Sequence, residues 1–544
     1  MPKNSLIKKW KAKIDGRRLS VSDIERKILK ERGIDDLDEF LYPTQKNLIP
    51  FEAFKNIESA AKTLLDTRKD EKIFVHTDID NDGAASGAIM CRYLQDLGYK
   101  NITPWVNNGK KHGLYRDNMC FGEKYDLVII LDSIQDDTFL YEELLEMGSK
   151  IIVLDHHDII EPILEIQDKI NLVSSMNDYP NPALCGAGVT LKFCLYIDSL
   201  CGTQFADEYY DLAACGTCAD MMDLSAEAME NRYICSRGFS NVHNKAIKAI
   251  NGRYPMNSTA VSFGIAPLVN AANRMNHNWE MLSLFLSDDD NQITELIDVL
   301  KDCKEKQNEQ ASEVYEQIAN QAAKQADNKV MFFVVEDAKN MSGLIANKVL
   351  EEYQRPIIIT QKTTDSKGNE IYSGSLRAVG VDNFSKIVNS THLAKALGHS
   401  NAAGFTVKAE SKEEFKNAIE EVLADVDFKQ TKTVDIKLTQ KQVTPQLISW
   451  MKELNNISGQ GFPSITVLIE DVCDYEVGCM KDGKHTKIVT PQMTFIKWNS
   501  DAWEYIPEEM SLSFIGTLDA SWFGRKYTLQ MIVDDFKCEE LLEI

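Results

Sequence analysis

Residues 73–83 read IFVHTDIDNDG, a short apolar run that ends in a histidine and three aspartates. Two more runs end in the same way: LVIIL at 127–131 leads into Asp132, and IIVL at 151–154 leads into DHHD at 155–158. Aliphatic runs without alternation predict strands that are buried on both faces of a parallel sheet. The first half of the chain is therefore predicted to form an α/β domain.

The polar residues that follow these strands are expected to meet at one edge of the sheet. In open α/β sheets, ligands bind outside the carboxyl ends of the strands. Asp220, which closes a small-residue run at 212–219, can join the same crevice. Carboxylates that lie so close together repel one another unless cations sit between them. The pattern therefore predicts a site for two divalent metal ions.

The residue types in these motifs indicate which metals such a site would hold. The candidate ligands are His76, Asp80, Asp82, Asp132, His156 and Asp220. Imidazole with carboxylates suits Mn²⁺ or Mg²⁺ better than a set of thiolates would. Asp132 is the natural candidate to bridge the two ions. Two such ions can activate a water molecule and stabilise the leaving oxygen of a phosphoester.

Each motif taken alone has a simpler interpretation. The DxDxDG spacing at 78–83 could be a calcium loop, although Ile89 stands where an EF-hand has its bidentate glutamate. Asp132 could cap a helix, and the DHH sequence at 155–157 could begin one. Because the motifs recur at successive strand ends, a shared metal site is the better interpretation.

The charge balance of the chain is strongly acidic. Its 544 residues include 83 Asp and Glu against 60 Lys and Arg, which gives a formal net charge of −23. Taken alone this argues against a nucleic-acid partner, because phosphate binding depends on Lys and Arg. Binding responds to local charge, however, and residues 3–18 are locally basic. That stretch could be a phosphate-facing arm or a solvated helix end.

The 12 cysteines are scattered along the chain. The CxxC sequence at 215–218 lies in an apolar run and has no second pair to complete a zinc site, so buried thiols are predicted. The sequence shows no signal peptide and no apolar run of membrane length. These features predict a protein of the reducing cytoplasm without membrane contact.

Length and patterning divide the chain into several predicted segments. They are an N-terminal helical segment at 1–70, a catalytic α/β domain at 71–277, a long connecting helix at 278–328, a second α/β domain at 329–428 and a β-rich tail at 429–544. Turn signals such as the KDG sequence at 481–483 separate the strand-like stretches of the tail, which favours a small β-barrel. Trp498 and Trp522 are expected in its core.

Four motifs carry a resemblance to a known family: HxDxDxDG at 76–83, Asp132, DHH at 155–157 and GTCAD at 216–220. They resemble the motifs of the DHH phosphoesterase superfamily. Over nearly its full length the chain resembles the RecJ single-strand-specific exonucleases. Residues 329–428 resemble the associated DHHA1 domain, with GSLR at 374–377 and GHSNAAGF at 398–405 as markers. The tail resembles the family's oligonucleotide-binding (OB) fold and has GQGFP at 459–463 near its start.

The resemblance implies a role for each of these residues. The implied metal ligands are His76, Asp80 and Asp132 for one ion, and Asp82, Asp132, His156 and Asp220 for the other. The implied catalytic residues are His157, Asp155 and Asp78. The implied DNA-binding residues are Arg274, Ser375, Arg377 and His399. His157 would contact the scissile phosphate and Asp155 would orient the histidines, whereas Arg377 could instead form a surface salt bridge.

The activity implied by the resemblance is a 5′→3′ exonuclease that hydrolyses single-stranded DNA to 5′-mononucleotides in DNA repair or recombination. It would use two Mn²⁺ or Mg²⁺ ions and act as a monomer, with a helicase or a single-strand-binding protein as candidate partner. Two alternatives stay open. One is a DHH phosphodiesterase for short oligonucleotides or cyclic dinucleotides, whose members generally lack the N-terminal segment and the tail. The other is a non-catalytic replication scaffold, although such relatives lose metal ligands that this chain retains.

Three positions depart from the family's pattern. Asn273 replaces a glycine before Arg274, Ala378 replaces a serine, and Leu397 replaces the first glycine of a Gly-Gly-His sequence. The ligand set is intact. The departures therefore bear on the strength of DNA binding, strand polarity and processivity rather than on the hydrolysis reaction.

Overall fold

The computed structural model describes residues 9–134, 138–338, 340–365, 367–428, 431–506, 510–523 and 526–540. The chain divides into two compact units. The larger unit comprises Ser22–Lys304 and Ser449–Ile465. The smaller unit comprises Glu305–Ile448 and Thr466–Ile544, together with the start of the chain up to Val21.

Strands and helices alternate along much of the described chain. The strands are β1 (Lys9–Asp15), β2 (Lys72–Thr77), β3 (Asn101–Val106), β4 (Leu127–Leu131), β5 (Lys150–Asp155), β6 (Leu172–Ser174), β7 (Met331–Val335), β8 (Ile357–Thr364), β9 (Glu370–Arg377), β10 (Ala394–His399), β11 (Ala402–Lys408), β12 (Thr431–Leu438), β13 (Val467–Val472), β14 (Glu476–Met480), β15 (His485–Val489), β16 (Thr494–Lys497), β17 (Met510–Phe523) and β18 (Lys526–Glu540). The helices are α1 (Val21–Glu31), α2 (Leu37–Leu41), α3 (Ile57–Leu65), α4 (Asn81–Asp96), α5 (Met119–Gly122), α6 (Phe139–Glu146), α7 (Glu161–Ile166), α8 (Gly186–Cys201), α9 (Tyr210–Ala219), α10 (Met229–Ser240), α11 (Lys245–Asn251), α12 (Ser258–Ala260), α13 (Ala266–Arg274), α14 (Asn278–Leu286), α15 (Asp290–Lys324), α16 (Ser342–Tyr353), α17 (Phe384–Ser390), α18 (Lys412–Val422) and α19 (Pro445–Asn455).

The sheet of the larger unit is parallel throughout, and its strand order is β3-β2-β4-β5-β6. The three predicted strands are confirmed as β2, β4 and β5. Ile73 and Val75 pack in the core on one face, and Phe74 packs in the core on the other. Both faces are covered, which explains why these runs lack hydrophobic alternation.

The order of the strands places a crevice beside β2. The chain runs from β2 to β3 on one side, and then to β4 on the other side of β2. From β4 the chain continues outward to β5, so the connections that leave the carboxyl ends of the neighbouring strands β2 and β4 run in opposite directions. The gap between these two strands is the topological switch point where open α/β sheets bind ligands. The motifs identified from the sequence follow β2, β4 and β5.

The prediction that residues 1–70 are helical is wrong for Lys9–Asp15, which form β1. This strand pairs in parallel with β12, so that Ile14 lies opposite Ile436. The sequence KWKAKID alternates lysine with apolar residues, which is the two-residue period of a strand with one buried face. Lys11 and Lys13 are exposed, whereas Trp10 packs towards the core of the sheet. The basic residues before Lys9 lie outside the described part of the chain.

The connecting helix predicted at 278–328 is in fact two helices. Helix α14 ends at Leu286, and α15 begins only at Asp290. The carboxylate of Asp289 accepts the backbone N–H groups of Asn291 and Gln292, both at 2.9 Å. This capping bond begins a new helix because it satisfies N–H groups that have no partner in the first turn.

The smaller unit contains two sheets. One has the strand order β10-β11-β9-β8-β7, and its core includes residues of α17 and α18, as expected for an α/β domain. The other combines β1 with the strands of the tail in the order β1-β12-β13-β17-β18-β16-β15-β14. No helix in the described residues is both long enough and apolar enough to cross a membrane.

The core of the tail differs from the prediction in its aromatic residues. Trp498 is 46% exposed and Trp522 is 69% exposed, so the expectation that both are buried is wrong. Phe495 and Phe514 are buried instead, with their rings stacked at a centroid distance of 4.1 Å. Phenylalanine has no polar atom that needs a partner, so it fills such a core at lower cost than tryptophan.

Candidate metal centre

His76 lies near the carboxyl end of β2 and is fully buried. Its Nε2 atom is 3.2 Å from the amide nitrogen of Asn107, whereas its Nδ1 atom has no hydrogen-bond partner among the described residues. Burial lowers the pKa of His76 to about 4, so the ring is neutral at neutral pH. A neutral imidazole with an unpartnered nitrogen is in the state that a metal ion requires.

Asp80 begins α4 as its N-cap residue. Its Oδ1 atom accepts the backbone N–H groups of Asp82 at 3.0 Å and Gly83 at 3.1 Å. A Cβ atom on Gly83 would lie 2.6 Å from the carbonyl oxygen of Asp78. Only glycine fits this turn, which brings three aspartates of one motif to the same end of β2.

Asp82 is buried and is held by the start of another helix. Its carboxylate accepts the backbone N–H of Gly186 at 2.7 Å and of Ala187 at 3.1 Å, both in the first turn of α8. A helix N-terminus stabilises negative charge. A Cβ atom on Gly216 would lie 2.1 Å from Oδ1 of Asp82. Gly216 on α9 therefore leaves the space that this carboxylate occupies.

Asp132 follows β4 directly and is buried in a left-handed backbone conformation, with φ of 56°. Its Oδ1 atom accepts no hydrogen bond from the described residues, although Nε2 of His156 lies 3.1 Å from it, and a Cβ atom on Gly186 would lie 2.5 Å from it. A non-glycine residue in this conformation costs about 1–3 kcal/mol and is typical of functional sites. An unpartnered carboxylate oxygen in so confined a place fits a metal ligand.

Asp155, at the end of β5, is fully buried and receives several donors. It accepts the backbone N–H groups of Ile134, His156 and His157, and the Nδ1 atom of His157 lies 2.9 Å from its Oδ1. Burial alone raises the pKa of Asp155, but the hydrogen bonds and charge of His157 outweigh it and bring the pKa to about 2. Burial lowers the pKa of His157, yet Asp155 raises it to about 10 overall. The two side chains form an ion pair.

His156 lies between three carboxylates. Its Nε2 atom is 3.1 Å from Oδ1 of Asp132, 3.5 Å from Oδ2 of Asp220 and 3.8 Å from Oδ2 of Asp82. Asp220 ends α9 as its C-cap residue and is partly exposed. Residues from four separate elements, α4, α9 and the ends of β4 and β5, therefore converge on one point.

The carboxylates of this cluster are held in an unfavourable electrostatic state. Burial raises the pKa of Asp132 well above its ordinary value, and the charges of Asp82 and Asp80 raise it further. Burial likewise raises the pKa of Asp220, to about 8, and Asp82 and Asp80 again add to the shift. A cation among these groups relieves both the burial cost and the mutual repulsion. The donor set therefore fits divalent metal ions.

Three groups of side chains in the described residues could hold a metal ion, with ligand atoms within 4.8 Å of one another. They are Asp132 with His156 and His157, Asp82 with His156 and Asp220, and Asp78 with Asp80 and Asp132. One of the groups, Asp82 with His156 and Asp220, consists entirely of residues that the resemblance assigned to one ion, whereas the other two groups include His157 and Asp78, which it did not assign as ligands. His76 belongs to none of them, and the roles of all the predicted residues as ligands stay predictions. Cys215 and Cys218 are free and buried, as predicted, and neither belongs to a group.

Two residues at the site were not identified from the sequence. The Nδ1 atom of His112 lies 2.9 Å from Oδ2 of Asp78, and Oγ of Ser133 lies 3.4 Å from Oδ1 of the same carboxylate. His112 is in the loop after β3, the edge strand of the sheet. That strand is only partly buried and contains Pro104, which hides its apolar pattern. The rule that places ligands at the carboxyl ends of strands would have found His112 had β3 been identified.

The residues predicted to bind DNA lie in both units. Arg274 ends α13 in the larger unit and donates to the carbonyl oxygen of Asn270 at 3.2 Å. Ser375 and Arg377 lie on β9 in the smaller unit, where Oγ of Ser375 is 2.8 Å from Oγ of Ser342. The side chain of His399 lies outside the described part of the chain. The DNA-binding roles of all four stay predictions.

Comparison with known families identifies three parts of the chain. Residues 72–217 match the DHH family, N-terminal domain; residues 338–425 match the DHHA1 domain; residues 434–535 match the RecJ OB domain. The chain is a RecJ-like member of the DHH family. This confirms the predicted fold class, a DHH parallel-sheet domain with a DHHA1 domain and a C-terminal OB domain. The limits predicted for these domains from the sequence stay predictions.

Named relatives of this DHH-family chain agree with the assignment. It is 28% identical over 530 residues to the putative SPbeta prophage-derived single-strand DNA-specific exonuclease YorK of Bacillus subtilis, covering 91% of this chain and 90% of the relative. It is 26% identical over 552 residues to the single-stranded-DNA-specific exonuclease RecJ of Bacillus subtilis, covering 95% and 68%. The crystal structure of RecJ in complex with Mn²⁺ from Thermus thermophilus matches the fold with a TM-score of 0.75 at 21% identity, covering 98% and 80%. These likenesses support a hydrolase of the DHH family.

Proposed function

We propose that the protein is a divalent-metal-dependent exonuclease that digests single-stranded DNA from its 5′ end and releases 5′-mononucleotides. The observation that carries the proposal is the convergence of Asp82, Asp132, His156 and Asp220 at the switch point of the parallel sheet. An unpartnered buried carboxylate oxygen and raised carboxyl pKa values make this cluster suited to cations.

Two Mn²⁺ or Mg²⁺ ions would be bound there. One ion would be held by Asp80 and Asp132, together with His76 or Asp78. The other ion would be held by Asp82, His156 and Asp220, and Asp132 would be shared by the two ions. Bound ions of this kind activate water and offset the charge that develops on a phosphoester. The chain itself contributes by holding the carboxylates at fixed positions, closer to one another than they would stay in water.

His157 is suited to contact the phosphate. Its side chain is half exposed, and its Nδ1 atom is fixed by Asp155, so that Nε2 is the ring nitrogen that could meet a phosphate. With a pKa near 10 the ring is protonated at neutral pH and can donate a hydrogen bond to a phosphate oxygen. A preoriented donor of this kind stabilises the charge of the transition state. Asp155 is thus a positioning residue rather than one that contacts the reacting atoms.

The preference for single strands is supported by the rest of the chain. The OB domain is of a class that binds single-stranded nucleic acid through stacking and basic grooves. In the DHHA1 domain, Arg377 offers a forked donor that matches a phosphate, and Ser375 and His399 are its proposed companions. The relatives' names specify single-stranded DNA. The 5′→3′ polarity is the one that the resemblance to RecJ exonucleases implies. A role as a monomer in DNA repair or recombination, alongside a helicase or a single-strand-binding protein, fits this activity.

Digestion of end-labelled DNA tests the proposal. Single-stranded DNA labelled at its 5′ or its 3′ end is incubated with Mn²⁺ and wild-type protein, Asp132→Asn or Asp158→Asn. Asp158 is an exposed carboxylate of the same loop as His157, so its replacement is the matched control. We expect immediate release of the 5′ label as a mononucleotide, a 3′-labelled strand that shortens stepwise, and loss of both only in Asp132→Asn.

Other results would point to a different function. Cleavage of only very short oligonucleotides or cyclic dinucleotides would identify a phosphodiesterase of the DHH family. DNA binding without any cleavage, in the presence of Mn²⁺ or Mg²⁺, would identify a scaffold. Release of the 3′ label first would contradict the proposed polarity.

A further inference from the structure

Residues Ser449–Ile465 fold with the larger unit, although the strands before and after them, β12 and β13, belong to the smaller unit. Within this segment, residues 457–462 lie against the loop that follows Asp220. We call residues 457–462 the brace loop. The contacts between the brace loop and the Asp220 loop, which comprises residues 221–225, are all within the larger unit.

The brace loop contacts the Asp220 loop through its backbone. The carbonyl oxygen of Gln460 accepts the N–H of Leu224 at 2.9 Å. Within the brace loop itself, the N–H of Gly459 donates to the carbonyl oxygen of Phe462 at 2.8 Å. Gly461 has φ of 71°, and a Cβ atom there would lie 1.8 Å from Oδ1 of Asp223. The approach is so close that glycine is required on both conformational and steric grounds.

Arg232 links the brace loop to the Asp220 loop. It is buried, and its Nη1 atom donates to the carbonyl oxygens of Leu224 at 2.9 Å and Ile457 at 3.0 Å. Its guanidinium lies 3.4 Å from the ring centroid of Phe40. Burial lowers the pKa of Arg232 to about 10, which leaves it charged at neutral pH. A buried charge needs its partners, so Arg232 fixes one carbonyl in each loop.

The residue after Asp220 ends α9 in an unusual backbone conformation. Met221, directly after Asp220, is exposed and adopts a left-handed conformation with φ of 55°, and the N–H of Met222 donates back to the carbonyl oxygen of Thr217 at 3.0 Å. A helix commonly ends in this way with glycine, whereas methionine adopts the left-handed conformation only at a cost in free energy. Such a conformation persists where the surroundings determine it. Beyond this turn, the carbonyl oxygen of Asp223 accepts a hydrogen bond from the Nδ2 atom of Asn231 at 3.0 Å, and Leu224 is anchored to the brace loop and to Arg232.

We propose that the brace loop and Arg232 are positioning elements that set the direction of the Asp220 carboxylate, and with it the affinity of the metal ion shared by Asp82, His156 and Asp220. The proposal rests on the proposed function in one respect, because it requires a divalent ion at this cluster. It makes completion of the metal site dependent on residues that come from the C-terminal part of the chain. A chain that ends before residue 449 would retain every metal ligand but bind one ion weakly.

Mn²⁺ binding to the full-length protein, measured without DNA by electron paramagnetic resonance and by titration calorimetry, tests this. The variants are Gly461→Ala, and Gly459→Ala, where a Cβ atom would lie 3.0 Å from the Leu224 side chain and the clash is milder. The control is Gly478→Ala on β14, where the nearest atom lies at 4.0 Å. We expect one of the two Mn²⁺ ions to bind about 10-fold more weakly in Gly461→Ala, by analogy with residues that orient ligands in other metal sites. Gly459→Ala should weaken the binding of the same ion by a smaller factor. The affinity for the other ion should be the same in all of these proteins. The melting temperature of Gly459→Ala should equal that of wild type and of Gly478→Ala.

The same measurements give the results that would overturn the proposal. They are unchanged affinity at both sites in both variants, equal weakening of both sites together with a lowered melting temperature, or wild-type protein that binds no Mn²⁺. If Gly461→Ala does not fold, Gly459→Ala carries the test alone. Wild-type protein that binds two Mn²⁺ ions but leaves single-stranded DNA intact would reject the proposed exonuclease, whereas the selective weakening of one ion would still support the brace loop.

Discussion

The Nδ1 atom of His157 lies 2.9 Å from Oδ1 of Asp155, and this carboxylate also accepts the backbone N–H groups of His156 and His157. Asp155 is fully buried, whereas half of the His157 side chain is exposed. One nitrogen of the half-exposed imidazole is therefore fixed by the buried carboxylate.

Replacement of Asp155 by asparagine should separate orientation of His157 from metal binding. An amide keeps an acceptor oxygen for the N–H groups of His156 and His157 but loses the acceptor for the N–H of Ile134 and the charge that orients the imidazole. We expect kcat on single-stranded DNA to fall by about 10- to 100-fold, with KM little changed. Mn²⁺ affinity, measured separately, should change less than kcat. Asp158→Asn is the control, and equal losses in both variants would contradict the role of Asp155.

The ion pair of His157 and Asp155 predicts a pH dependence of stability in the metal-free protein. Burial lowers the pKa of His157, but Asp155 more than compensates and raises it to about 10, whereas histidine in an unfolded chain titrates near 6.5. A raised pKa in the folded state contributes stability that is full below about pH 6.5 and is lost as pH rises through about 10. We expect the melting temperature of wild-type protein in a chelator to fall more steeply over this range than that of His157→Gln. Parallel curves would show that the pair does not form.

Replacement of Asp132 by asparagine should affect metal-free and metal-bound protein in opposite directions. Burial, with Asp82 and Asp80 nearby, raises the pKa of Asp132 well above its usual value, so its charge destabilises the metal-free fold. Asparagine also tolerates the left-handed backbone at this position. We expect the melting temperature of Asp132→Asn in a chelator to equal or exceed that of wild type.

Mn²⁺ should then raise the melting temperature of wild type but not of Asp132→Asn. At 100 times the dissociation constant, one bound ion stabilises a fold by about 2.7 kcal/mol. Asp158→Asn should respond to Mn²⁺ as wild type does. A strongly destabilised metal-free Asp132→Asn would instead mean that the carboxylate has a structural partner.

The parts of the site that could be predicted from the sequence depend on local patterns. A run such as residues 127–131 is apolar throughout because both faces of β4 are covered, and the residue after it is necessarily at the carboxyl edge. Three such runs were enough to place Asp132, His156 and the aspartates after β2 together. That Gly186 and Gly216 leave room for carboxylates from other elements could not be predicted, because each of these contacts joins distant segments of the chain.

The parts that could not be predicted depend on contacts between distant segments. His112 was not predicted because β3 is a half-exposed edge strand, and such a strand lacks the apolar run that identified the other strands. The alternation in Lys9–Asp15 was visible, but its partner β12 lies more than 400 residues away. The brace loop was recognised only as a family marker. Its contact with the residues after Asp220 has no local signature, because it is made by backbone groups.

Replacement of Arg377 by alanine should weaken DNA binding without changing the metal centre. Arg377 lies on β9, where a Cβ atom on Gly343 would be 2.8 Å from its Nη2 atom, so α16 leaves room for the guanidinium. If the guanidinium binds a phosphate, its loss should lower affinity for all single-stranded sequences and reduce the slope of log affinity against log salt by about 1. Mn²⁺ affinity should be unchanged. Lys362→Ala, which removes an exposed cation that pairs with Glu370 on the neighbouring strand, is the control. An unchanged salt slope in Arg377→Ala would show that this arginine serves the fold of the DHHA1 domain rather than DNA.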